Sequence, residues 1–152
     1  MRFTSFQVFW PYYLQEHRQL TCRITHFIGS NIFFGLLGWR LYHTGLPLIA
    51  AFAAVVLLCG ACFAQEAKWN TAPVLMASIG GLIVVDPVMF FVILPAYSFA
   101  WTGHFFIEKN RPATFQYPLW SLVGDLRMCM LMWRGQLWRA QSTSSTKPSM
   151  RA

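Results

Sequence analysis

Four imidazoles, His17, His26, His43 and His104, are the only histidines in the 152 residues. Imidazole is the side chain best suited to hold a transition metal or to move protons near neutrality. His104 is followed four residues later by Glu108, and positions i and i+4 share one face of a helix. An imidazole and a carboxylate at that spacing can hold one divalent metal. With His17 and His26 added, the set has the composition of a non-haem iron(II) site with open positions, although zinc and manganese accept the same donors. Glu108 would then be either a ligand or a group that orients a histidine or acts as base. The same three histidines could also serve more simply, as hydrogen-bonding anchors at a membrane surface.

His17 and His26 are nine residues apart. On one continuous helix they would point about 180° apart, so joint ligation needs a break between them. Thr21 is the expected N-cap of a helix starting at Cys22, which would supply that break. The Cys59–Cys62 pair has no second CxxC partner and lies in an apolar run, so it reads as small helix residues rather than a metal or redox site.

The elements that must position these groups are membrane-like. The chain is 56% hydrophobic and only 11% charged, less than half the usual charged fraction of about 25% for soluble domains. That excludes a disordered chain and argues against an ordinary soluble domain. Uncharged runs of 25, 17 and 21 residues separate Arg40 from Glu66, Lys68 from Asp86, and Asp86 from Glu108. A helix of about 20 apolar residues crosses the hydrocarbon core. With a less apolar segment at 24–42, this predicts an all-α integral membrane bundle of about four transmembrane helices. Asp86-Pro87 is expected to turn between the third and fourth spans, and Pro95 to kink the fourth. Pro11 is expected to break any helix near the N-terminus, and no cleavable targeting segment is expected there.

Eleven of the twelve Lys and Arg residues fall on one side of this topology, Arg40 being the exception. The positive-inside rule then makes both termini cytoplasmic. It puts His17, His26 and His104 near the cytoplasmic face and His43 at the other. The net charge of +7 is accounted for by anionic headgroups, and no nucleic-acid partner is expected. The segment after Pro118 reads as an amphipathic helix lying at the interface or packing on the bundle. One domain is expected over 1–138, with a polar, disordered tail at 139–152.

Two stretches, YLQEHRQLTCRITHFIG at 13–29 and AWTGHFFIEKNRPATF at 100–115, resemble the signatures of a small membrane family. That family includes the fungal 2-hydroxy fatty acid dioxygenase of fatty acid α-oxidation. The likeness covers about residues 9–138, and the chain looks like the compact bacterial branch. It implies an iron(II)-dependent membrane dioxygenase that shortens 2-hydroxy long-chain acids by one carbon with O2. In a bacterium the location would be the inner membrane. The family's ligand positions fall on His17, His26, His104 and Glu108. A 2-hydroxy acid can chelate such a metal through its carboxylate and hydroxyl oxygens. Arg18, Arg23 or Arg111 could draw the carboxylate to the interface. The alternatives are a non-enzymatic membrane scaffold or lipid-binding protein, and a haem-binding membrane protein using paired histidines.

Overall fold

The computed structural model describes residues 2–139. The polar tail expected at 139–152 lies outside these but for Arg139. Six α-helices and no strands form the described chain, which is 80% helical. They are α1 (Phe6–Gln15), α2 (Leu20–Thr44), α3 (Leu46–Phe63), α4 (Ala72–Val85), α5 (Met89–Thr102) and α6 (Pro118–Trp133). The end of α5 continues as a six-residue π-helical segment, Gly103–Glu108.

Three stretches are long and apolar enough to cross a membrane: Leu20–Thr44, Leu46–Ala67 and Met89–Glu108. The third expected span, short already as an uncharged run of 17 residues, is shorter still as a helix. α4 has 14 residues, about 21 Å against a hydrocarbon core of about 30 Å. Pro73 in its first turn and Asp86 at its C-cap bound it. The exposed residues of α3 and α4 are all apolar. On α3, Val56, Leu57 and Leu58 are exposed and only Leu48 is buried, the pattern of a helix whose surroundings are themselves apolar.

α2 and α5 run antiparallel and pack most extensively. Gly29 permits the approach: a Cβ there would lie 2.8 Å from Cβ of Phe99. At one end of the pair His26 meets His104. At the other, about 21 Å along α2 from His26, Arg40 clasps Asp86 through two hydrogen bonds of 2.5 and 3.0 Å. Thr44 donates a third to the same carboxylate. Asp86 is 4% exposed, and the Arg40 guanidinium holds its carboxyl below the usual range.

Pro11 does not break the first helix. α1 runs through it, because the proline is exposed and the carbonyl it leaves unpaired can reach solvent. The inner face of α1 is held instead by aromatic packing. Phe9 and Tyr13 join Tyr117, Trp120, Met128 and Met132 in one buried cluster. α6 is therefore a bundle-packing helix, with eight buried residues among its sixteen. The buried Glu66 anchors its start, accepting hydrogen bonds from the Trp120 backbone N–H at 2.9 Å and the Thr71 hydroxyl at 3.0 Å.

Candidate metal centre

The break required between His17 and His26 exists. α1 ends at Gln15 and α2 begins at Leu20, so His17 lies in the connecting turn and His26 on the second turn of α2. Thr21 is not the cap. Gln19 occupies the cap position and makes no side-chain capping bond. Its backbone N–H donates to Oε1 of Glu108 at 2.6 Å, and its side-chain amide donates to the Ile107 carbonyl at 2.7 Å. Glu108 therefore satisfies a first-turn amide of α2, where the helix dipole favours a carboxylate. It is not among the side chains whose ligand atoms converge, which are those of His17, His26 and His104.

His17, His26 and His104 do converge. One nitrogen from each ring lies within 4.8 Å of those of the other two, and all three residues are buried. Ring centroids are 4.5 Å apart for His17–His26, 4.6 Å for His17–His104 and 5.1 Å for His26–His104. Gly103 allows this closeness, since a Cβ there would meet Oγ1 of Thr25 at 2.7 Å and Cδ2 of His26 at 3.4 Å. The π-helical pitch of the segment carrying His104 is a local irregularity often found at functional sites. His43 sits in the last turn of α2, exposed and packed against Trp39 and Tyr42, about 25 Å along the helix from His26.

The hydrogen bonds fix how each ring is presented. Nδ1 of His17 lies 2.7 Å from the Tyr13 carbonyl, which only accepts. Nδ1 of His26 lies 2.7 Å from Oδ1 of Asp125. Nδ1 of His104 lies 2.8 Å from Oδ1 of Asn110. That amide oxygen is identified by its partner nitrogen, which donates to the Glu16 carbonyl and carboxylate at 2.9 and 2.7 Å. Each imidazole therefore carries its proton on Nδ1, leaving Nε2 as a lone-pair acceptor. Nε2 of His17 and of His26 are buried with no partner among the described residues. Burial also pushes His17 well below the ordinary histidine pKa, reinforced by the neighbouring His26 and His104.

Two of these acceptors, Nε2 of His17 and of His26, are buried without a donor, and the His104 ring converges on them. A metal cation fits this donor set, and the outer partners are of the kind that orient metal-bound histidines. Asp125, Asn110 and Tyr13 were not singled out from sequence, because 99 residues separate Asp125 from His26. Tyr13 completes the shell, giving its carbonyl to His17 and its hydroxyl to Asp125.

A cavity of about 180 Å³ opens beside the cluster. His104, Ala100, Tyr97, Ile93 and Met89 wall it along one face of α5. From His104 to Met89 is about 22 Å along the helix. Its polar lining, including Tyr13, Asp125 and Ser121, gathers around the histidines; the far end is lined by Phe52, Val55, Leu82 and Met89. None of the three arginines expected to draw a carboxylate lines it. Arg18 and Arg111 are exposed. Arg23 is fully buried, with one terminal nitrogen of its guanidinium donating to the carbonyls of Arg18 and Arg139 at 3.1 and 2.7 Å, while its Nε has no partner among the described residues.

No curated protein and no solved structure matches the chain. The profile of a family described as 2-hydroxy-palmitic acid dioxygenase Mpo1-like matches residues 3–137, which include all three converging histidines and every side chain that holds them. The chain belongs to the Mpo1-like family.

Proposed function

We propose that this protein is an integral membrane dioxygenase that uses iron(II) and O2 to shorten 2-hydroxy long-chain fatty acids by one carbon. The observation that carries the reading is the convergence of three buried histidines, two of them with buried and unpartnered Nε2 atoms, at the polar head of an apolar cleft. His17, His26 and His104 would hold the metal. Iron(II), when bound, supplies the O2 chemistry and a positive charge for the substrate's carboxylate and hydroxyl oxygens.

The protein's own groups do the rest. Asp125, Asn110 and the Tyr13 carbonyl keep the three Nδ1 protons in place and the rings oriented. Tyr13 donates its hydroxyl to Asp125, which shares the carboxylate's charge and limits its freedom to move. The apolar walls take the alkyl chain and exclude water from it. With no arginine in the cleft, the carboxylate's counter-charge comes from the metal end.

The cytoplasmic side is the proposed location of the metal end and of both termini. Arg2, Arg18, Arg23, Lys109 and Arg111 belong to segments at that end, whereas Arg40, the exception, is neutralised by Asp86. A haem reading is disfavoured, because three imidazoles packed at centroid distances of 4.5–5.1 Å leave no slot for a porphyrin between any two of them.

The test is anaerobic purification in detergent, metal quantification, and O2 consumption with 2-hydroxyhexadecanoic acid. Near-stoichiometric iron and substrate-dependent O2 uptake, both lost in His104→Ala, are expected. Absence of metal after reconstitution with iron(II) would overturn the reading in favour of a membrane scaffold.

A further inference from the structure

The cleft has a closed end as well as a head. Leu82 of α4 and Met89 of α5, 5% and 0% exposed, pack with Leu37, Leu48 and Val92 into one buried cluster. Directly past Met89 lies the Asp86 carbonyl, which accepts the Met89 backbone N–H at 2.9 Å. The Asp86 side chain is there clasped by Arg40 and Thr44. A methylene chain advancing from the histidines thus stays among apolar side chains for the full length of α5. It would then have to displace Leu82 and Met89 toward an ion pair it cannot solvate.

The depth agrees with one occupant. One leaflet's chain fills about 15 Å of a hydrocarbon core about 30 Å thick. The His104-to-Met89 distance of about 22 Å therefore admits a single long acyl chain, stretched out.

We propose that Leu82 and Met89 form the stop that sets the longest acyl chain the protein accepts, so that these two residues determine chain-length specificity. This rests on the reading that a 2-hydroxy acid binds with its polar head at the histidines. Each methylene removed from water contributes about 0.8 kcal/mol, or roughly a fourfold gain in affinity. That gain should end where the chain reaches the stop.

The experiment is a binding series with saturated 2-hydroxy acids of increasing even chain length, on iron-loaded protein kept anaerobic in nanodiscs. Wild type is compared with Leu82→Phe, Leu82→Trp and Met89→Ala. In wild type, affinity corrected for partition into protein-free nanodiscs should rise with chain length and then level or fall. The break should move to shorter acids in the Leu82 variants and to longer ones in Met89→Ala, with the shortest acids bound equally by all. The same break in wild type, Leu82→Phe and Met89→Ala would overturn the stop while leaving the head-group reading intact. Wild-type protein that binds no 2-hydroxy acid, or binds without dependence on length, would overturn the reading under the proposed function and the stop with it. Met89→Ala and Leu82→Phe carry the test should the larger tryptophan prevent folding.

Discussion

Oδ1 of Asp125 accepts a 2.7 Å hydrogen bond from Nδ1 of His26, joining α6 to α2. The same oxygen accepts the Tyr13 hydroxyl from α1, so one carboxylate ties helices α1, α2 and α6 together at one ring of the histidine cluster. Burial opposes the charge on Asp125, but His26, His17 and Tyr13 together hold its pKa below the usual carboxylate value. Asp125→Asn should lower metal affinity by roughly 10- to 100-fold, the usual effect of losing such a partner. Anaerobic titration with iron(II) measures it, and unchanged affinity would show that Asp125 does not orient His26.

Glu108 and the histidines should separate cleanly in metal content. His17→Ala and His104→Ala each remove one of three donors and should strip most of the metal. Glu108→Ala should keep it. That variant should instead lose about 1 kcal/mol of stability, because the first-turn amide of α2 loses its acceptor. His43→Ala, at the other end of α2, should change neither. Metal lost from Glu108→Ala at intact fold would return Glu108 to the ligand set.

The pH response of the metal-free protein follows from His17. Its pKa is lowered by burial from the ordinary value of 6.5, so below 6.5 the unfolded chain takes a proton that the folded site refuses. Stability should be full above about pH 6.5 and should decline as pH falls from there toward the lower native pKa. Metal binding needs the same neutral ring, so bound iron should persist below pH 6.5 before protons displace it. Thermal melts of metal-free protein across pH, with His17→Ala as reference, check the sign. A melt that strengthens as pH falls from 6.5 would contradict it.

Gly29→Ala should destabilise by about 1–3 kcal/mol, since small-to-large changes in a packed interface force shifts of that cost. The new Cβ would lie 2.8 Å from Cβ of Phe99, close to the backbone of α5, where rotation cannot relieve it. Because α5 leads directly into the segment bearing His104, metal affinity should fall with stability. Gly60→Ala, which meets nothing within 4 Å, should leave metal affinity unchanged and should not destabilise, since alanine is the better helix former inside α3.

Ser121 tests the lining of the cleft from the opposite direction. Its hydroxyl is buried and has no partner among the described residues, although a helical serine commonly bonds the carbonyl four residues back. An unsatisfied buried hydroxyl costs about 1–3 kcal/mol. Ser121→Ala should therefore raise the melting temperature of the ligand-free protein. A lower melting temperature would reveal a hydrogen bond that the hydroxyl makes.

Periodicity and charge spacing carried much of this in the amino-acid order alone. An uncharged run of 25 residues after Arg40 has few ways to satisfy its backbone except as a helix in an apolar setting. The break between His17 and His26 followed from a simple angular argument. The resemblance of two short stretches added the family. α4 was harder to read, because an uncharged run of 17 residues does not reveal where Pro73 and Asp86 will trim the helix to 14. The first helix misled for a related reason: an exposed proline costs a helix little when aromatic packing on its other face holds it in place.

The sequence by itself determined the helical class, the apolar spans and the three histidines that could meet. Only the tertiary structure decided what surrounds them. Glu108 looked like a ligand by its spacing from His104, yet a backbone amide 89 residues away claims its carboxylate. Asp125 showed no local signal, yet it orients His26 across 99 residues. Helical spacing is local and legible because it follows from the geometry of one helix. The choice between two carboxylates depends on which helix ends and which faces the packing brings together, and that is fixed only when α1, α2, α5 and α6 close on one another.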